Sequence, residues 1–209
     1  MHSVTAAAGT LNNSISSVSV QCGSKPGVSP AFNDAARTLG QLLAVAGIRV
    51  IYGGVRTGLM GALADSVMEH GGRIMGVLPR FLMDEGIAHE GLSDLKLVAS
   101  MAERKDVMLE MSEATIVLPG GVGTQDEFWE VLAAAQLGFH TKPCGLLNTD
   151  GYYDSLLAFI DRAVAEGFMP AAERDSIVVA RTPEDLIAQL TERATPVERG
   201  GKHGQQYGQ

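Results

Sequence analysis

Seven short apolar runs alternate along the chain with six stretches in which apolar residues recur every three or four positions, and this alternation constrains the fold more than any other feature. The runs at 16–22, 48–52, 73–78, 94–98, 114–118, 143–147 and 176–180 read as strands; 30–46, 59–70, 101–111, 125–137, 152–166 and 183–190 read as helices. Ser29-Pro30 opens the first helix, because Ser caps and Pro at the first helical position loses no needed N–H. Thr182 and Asp185 can form a capping box at the last one. Residues 79–92 read as irregular. Alternation of this kind gives right-handed crossovers, so the expected fold class is α/β: doubly wound, a mostly parallel sheet with helices on both faces. Ligands on such sheets bind at the carboxyl ends of the strands, near the point where the strand order reverses.

At 209 residues the chain fits one domain, expected over 15–193, between polar tails at 1–14 and 194–209. With 45% apolar and 19% charged residues, a disordered chain is excluded. No apolar run is long enough to span a membrane, and the first 13 residues lack the basic and apolar regions of a secretory signal. A net charge of −8 argues against a nucleic-acid partner, though not against a small phosphorylated ligand. Cys22 and Cys144 stand far apart and the five histidines are scattered, so neither a disulfide framework nor a zinc site is expected, and a reducing, cytoplasmic setting fits. None of the five lysines has the surroundings of a Schiff-base residue.

Two strand-to-helix turns carry the chemistry. Gly53-Gly54-Val55-Arg56-Thr57-Gly58 precedes Leu59-Met60-Gly61; the glycines allow close approach to an anion and the next helix offers N–H groups, or the turn serves a close helix–sheet contact at Gly61. It is not a Walker loop, since no Lys-Ser/Thr follows. Pro119-Gly120-Gly121-Val122-Gly123-Thr124 follows a wholly apolar run and opens a helix, as an anion nest or as a tight turn capped by Thr124. Two such loops on one sheet edge point to a phosphorylated ligand. Glu127 reads either as the partner of Thr124 in a capping box or as a catalytic carboxylate kept ionised by the helix N-terminus; Glu130 is a second acidic candidate. Arg104 shares a helical stripe with Met101, Met108 and Met111, where it needs an anionic partner or else snorkels toward Glu103 or Asp106. Lys105 falls on the solvated side. Ser24, after the first strand, either touches a ligand or caps a turn.

These residues resemble a known family. The loops at 53–61 and 119–127, with Glu103-Arg104-Lys105 between them, are similar to the LONELY GUY family of cytokinin riboside 5′-monophosphate phosphoribohydrolases, often labelled lysine decarboxylases. The likeness runs over about residues 16–190, and the PGGxGTxxE pattern at 119–127 is its most specific part. It implies a Rossmann-like fold, a homodimer or higher homo-oligomer, no cofactor, and hydrolysis of the N-glycosidic bond of N6-substituted AMP, and of AMP, to free base and ribose 5-phosphate. It implies Arg104 and Glu127 in the catalytic positions and residues 120–124 on the phosphate, helped by the Gly58 loop. The candidate contacts are then Ser24, Gly54, Thr57, Gly58, Met101, Lys105, Gly120, Gly121, Val122, Gly123 and Thr124. Two positions depart from the family pattern: Val55 stands where the first loop usually has another glycine, and Lys25-Pro26 where a small residue often follows. Residues 80–89 are expected to wall the base.

On that reading the ionised Glu127 stabilises an oxocarbenium-like sugar and orients water, while Arg104 holds Glu127 or the substrate. Two other functions fit the loops: a general nucleotide 5′-monophosphate nucleosidase of purine salvage, or a non-catalytic nucleotide or molybdenum-cofactor carrier. A carrier has no use for an Arg104–Glu127 pair.

Overall fold

Each of the seven apolar runs becomes a strand. A computed structural model, describing residues 15–92 and 94–194, contains β1 (Ser17–Gln21), β2 (Arg49–Tyr52), β3 (Ile74–Pro79), β4 (Leu95–Val98), β5 (Ala114–Val117), β6 (Cys144–Leu147) and β7 (Ile177–Ala180). The tails expected at 1–14 and 194–209 lie, Ala194 aside, outside the described residues. The strands form one sheet in the order β4-β3-β2-β1-β5-β6-β7, and every neighbouring pair is parallel. The helices are α1 (Pro30–Val45), α2 (Gly58–Glu69), α3 (Arg80–Asp84), α4 (Met101–Glu110), α5 (Val122–Gln136), α6 (Asp154–Ala165), α7 (Ala171–Ser176) and α8 (Pro183–Arg193). The expected doubly wound α/β class is what forms.

The order records how the chain is wound. It lays β1 to β4 outward on one side; α4 then carries it back from the β4 edge, and β5 to β7 are laid on the other side. The reversal lies between β1 and β5. Strand parity sorts the core onto two faces. Val18, Val20, Val50, Tyr52, Ala114 and Ile116 pack with α1, α2 and α8 residues such as Leu39, Leu63 and Leu186. The opposite face holds Ile51, Val77 and Met108 at one end and Val117, Phe128, Leu146 and Ile160 at the other.

Local chemistry sets several helix starts. Ser29 caps α1, its Oγ accepting from Ala31 N at 3.3 Å with Pro30 next, and Thr182 Oγ1 accepts from Asp185 N at 3.3 Å at the start of α8. The larger departures from expectation are four. Residues 79–92 are not wholly irregular: Pro79, in extended conformation, starts the single turn of α3. The likewise extended Pro170 starts α7, which is too short to show a helical period in sequence. α8 runs on to Arg193. α5 begins at Val122, inside the second glycine loop, a difference that shapes the site. No helix of the described residues is long and apolar enough to cross a membrane.

Candidate active site

The site is built where the sheet reverses. β1 and β5 leave it side by side: Leu118 N donates to Gln21 O at 2.9 Å and Gly23 N to Pro119 O at 3.0 Å. The turns that follow these strands therefore face one cavity, of about 670 Å³, which the turn after β2, the start of α4 and the α3 segment help to close.

α5 takes over the second glycine loop from within. Gly121 is its N-cap, with no side-chain cap, and Gln125 N donates to Gly121 O at 3.1 Å. Thr124 therefore stands in the first turn, not at the cap, and Glu127 lies more than a turn inside; a Thr124–Glu127 capping box is not formed. Glycine at the cap leaves the first-turn amides of Val122, Gly123 and Thr124 without a side-chain acceptor, and no carbonyl of the helix reaches them. Those N–H groups, at the positive end of a helix of 15 residues, are a seat for an anion. The loop is braced from below: Tyr152 OH donates to Gly120 O at 2.7 Å and Tyr153 OH to Leu118 O at 2.6 Å.

The first glycine loop is engaged differently. The α2 amides expected to be free are taken, since Leu59 N and Met60 N donate to Gly23 O at 3.0 and 3.3 Å. Gly58 has φ +64°, and a Cβ there would run into the Ser24–Lys25 backbone; the glycine lets the turns after β1 and β2 pack together. Thr57 Oγ1 donates to Ser24 O at 3.1 Å across that contact.

Arg104 and Glu127 meet at the cavity floor. Ser100 caps α4, its Oγ accepting from Glu103 N at 3.1 Å while Glu103 Oε2 accepts from Ala99 N at 2.6 Å. Glu103 is thus occupied at the helix start, and Arg104 turns inward with Val107 and Met108. Arg104 is 5% exposed and Glu127 4%. Their closest approach, guanidinium Nη2 to Oε1, is 3.4 Å. That is an ion pair beyond good hydrogen-bond length, and Arg104 Nε is buried with no hydrogen-bond partner among the described residues. Gly53 makes room for the guanidinium, which a Cβ at that position would overlap.

Burial pushes the Glu127 carboxyl above the ordinary carboxylate range; Arg104 pulls it back, and Asp126, Lys105 and Glu130 act more weakly. Glu127 lies more than a turn inside α5, and desolvation is the largest influence on its carboxyl. Cys22 also borders the cavity, but burial drives its thiol far up, so it stays a neutral wall rather than a nucleophile. Cys144 is buried too, and both cysteines are free.

Of the candidate residues, Ser24, Thr57, Met101, Arg104, Gly120, Gly121, Val122, Gly123, Thr124 and Glu127 border the cavity. Gly54, Gly58 and Lys105 do not. Gly54 packs on Leu78 and Leu95, and Gly58 on the Ser24 turn. Lys105 is drawn away by Asp126, at 2.9 Å, and by Glu130, so it ties α4 to α5. Residues that sequence reading left unassigned also line the cavity: Lys25, Phe32 and Tyr152, the last two edge-to-face at 5.6 Å between centroids. Tyr152 follows β6, and the one available signal was that β6 had to end on the same sheet edge. Leu82 and Ile87 line the cavity from the stretch expected to wall the base. This stretch is hooked to the first glycine loop by Arg56 N to Ile87 O, 3.1 Å, and His89 N to Gly54 O, 2.9 Å.

Comparison with known proteins places the chain among relatives. A family model described as a possible lysine decarboxylase matches residues 60–190. The cytokinin riboside 5′-monophosphate phosphoribohydrolase of Rhodococcoides fascians is 43% identical over 175 residues, 83% of this chain and 88% of its own. The Arabidopsis thaliana phosphoribohydrolase LOG3 is 44% identical over 182 residues, 87% of this chain and 85% of its own. Among solved structures, the molybdenum cofactor binding protein of Rippkaea orientalis superposes with a TM-score of 0.66 at 22% identity, covering 86% of this chain and 97% of that one. At that identity the likeness concerns the fold.

Proposed function

The chain belongs to the possible-lysine-decarboxylase family whose curated members are cytokinin riboside 5′-monophosphate phosphoribohydrolases, and from that membership we propose that it hydrolyses the N-glycosidic bond of N6-substituted AMP, and of AMP, releasing free base and ribose 5-phosphate. The observation that carries the reading is the buried Arg104–Glu127 pair at the floor of the cavity whose rim bears the free amides of α5. The amides at 120–124 hold the 5′-phosphate. That remote contact fixes the ribose, so that binding energy is used to position C1′. Glu127, ionised when substrate arrives, stabilises the oxocarbenium-like sugar and takes a proton from the attacking water. Arg104 fixes the Glu127 carboxylate and offers its unpaired Nε–H to the substrate. Leu82, Ile87 and Met101 form an apolar wall for the base.

A decarboxylase reading finds no support in the site. Lys25 is the one lysine bordering the cavity among the described residues and it is exposed, whereas a Schiff-base amine has to be desolvated. A carrier function has only the fold likeness to proteins such as the Rippkaea orientalis molybdenum cofactor binding protein behind it, and it leaves the Arg104–Glu127 pair unused. We further propose a homodimer in a reducing cytoplasm, supported by an exposed aromatic face on α5 and α6 and by two buried free thiols.

The test is a panel of N6-prenylated AMP, AMP, GMP and CMP with chromatographic detection of free base. N6-prenylated AMP and AMP release base; equal turnover of all four substrates would favour the general nucleosidase. Glu127→Gln loses at least about a hundredfold in kcat, the scale of one transition-state charge interaction, and full turnover by that variant removes Glu127 from the chemistry.

A further inference from the structure

On the face of β1 turned toward α4 and α5 the side chains are polar. Ser19 is 1% exposed and Gln21 4%, although β1 is the central strand of a sheet covered on both faces. Such positions are ordinarily apolar, because a buried polar group costs free energy unless it is satisfied. Ser19 Oγ shares a hydrogen bond with Thr115 Oγ1 at 2.9 Å. The Gln21 side-chain amide makes no hydrogen bond to another described residue. Over these two residues lies a second, small cavity of about 70 Å³, bounded also by Lys105 and Asp106 of α4 and by Glu127 and Glu130 of α5. It has room for roughly two water molecules at liquid density. Glu127 is the one described residue that borders both this chamber and the nucleotide cavity. At the outer side Lys105 is held between Asp126 and the half-exposed Glu130.

We propose that this chamber is a rear water path for Glu127: water held by Gln21 and Ser19 passes the proton that Glu127 takes during hydrolysis out to Glu130 and solvent, while the nucleotide closes the front. The inference rests on the hydrolytic reading above. In that reaction the C1′–N bond breaks and its electron pair stays on the base nitrogen. A water O–H bond breaks, its oxygen bonds to C1′, and its proton goes to Glu127. The base takes a proton from solvent and Glu127 must return one, so no net proton is made or consumed. Burial already favours the protonated form of this carboxyl, so resetting it needs a hydrated route. The base and sugar occupy the front cavity until products leave; the chamber behind stays open to Glu130 throughout. Gln21 is in this scheme a positioning residue, acting through water.

The test uses the full chain with N6-prenylated AMP, comparing kcat and KM in H₂O and D₂O for the parent, Gln21→Met and Glu130→Gln. Gln21→Met keeps the side-chain volume and removes the amide. It is expected to lower kcat about tenfold, part of what positioned proton transfer contributes, to leave KM within about twofold, and to enlarge the D₂O effect on kcat. Glu130→Gln, at a half-exposed position, shifts the same quantities in the same direction by about threefold, and it decides the matter if Gln21→Met does not fold. A folded variant with the kcat and D₂O effect of the parent overturns the proposal, as does a change confined to KM. If Glu127→Gln turns over like the parent, the hydrolytic role of Glu127 fails. If Glu127→Gln is inactive while Gln21→Met and Glu130→Gln match the parent, the rear path alone fails.

Discussion

Glu127 carries its charge where little water can reach it, and that decides how the reaction responds to pH. Its neighbours are Arg104 on α4, Cys22 at the end of β1, Lys105 beside it on α4, and Asp126 and Glu130 on its own helix. Desolvation is the strongest influence and raises the carboxyl above 4.5; Arg104 is the largest influence in the other direction. On the proposed mechanism the ionised form acts on the sugar, so kcat/KM is expected to fall on the acid side with a midpoint above that of an ordinary glutamate. Substituting Arg104→Met removes the cation that favours ionisation, so the acid limb of the residual activity moves further toward neutral pH. A pH–rate profile from about pH 4.5 to 8 checks both points; a midpoint at or below 4.5, or one that stays in place without Arg104, contradicts the electrostatic account.

At the scale of elements, the N-terminus of α5 is the part whose chemistry depends on where a helix begins. Val122 is exposed and is its first residue, and Gly121 before it is extended, with φ −87° and ψ −150°. Proline fits that position and that predecessor, so Val122→Pro deletes one amide donor and leaves the helix intact. A hydrogen bond to a charged group contributes about 1.5–3 kcal/mol, so ribose 5-phosphate binds at least about tenfold more weakly, read as a smaller rise in Tm at fixed ligand concentration. Equal protection of variant and parent would show that this amide does not touch phosphate. The start of α5 is also where sequence reading went astray. Thr124 is a good capping residue with a glutamate three positions on, whereas Gly121 leaves no side-chain trace of the cap it forms. The strands and the longer helices were legible because their periods run over several residues. α3 and α7 are one turn each and carry none. Arg104 and Glu127 were singled out by residue type and motif and were paired through the family resemblance; spacing alone could not have paired them, since β1 standing between β2 and β5 is a long-range fact. The same holds for Phe32 of α1 and Tyr152 of the segment after β6, which reach the cavity from places far apart in sequence.

At the scale of the molecule, the aromatic residues are unevenly spent. The single tryptophan and four of the six phenylalanines are exposed, and three of these, Phe139, Phe159 and Phe168, lie with Trp129 and Leu137 on or just after α5 and α6. Trp129 meets Phe159 edge-to-face at 6.5 Å, and both border a groove of about 730 Å³ shared with Phe168 and Met169. Monomers rarely leave such clustered aromatic residues to water, and in the proposed homodimer a second copy of the chain across a two-fold axis would bury them symmetrically. The consequence reaches the chemistry because Trp129 is two residues from Glu127 on the same helix, so a partner pressing on Trp129 stiffens the helix that carries the carboxylate. Light scattering is therefore expected to give a mass of twice 22.0 kDa at micromolar concentration. Phe159→Asp puts a charge into that face, halves the mass and lowers kcat, while far-ultraviolet circular dichroism is unchanged. Wild-type protein that runs as a monomer, or Phe159→Asp that remains a fully active dimer, would place the partner elsewhere and leave the aromatic face without this role.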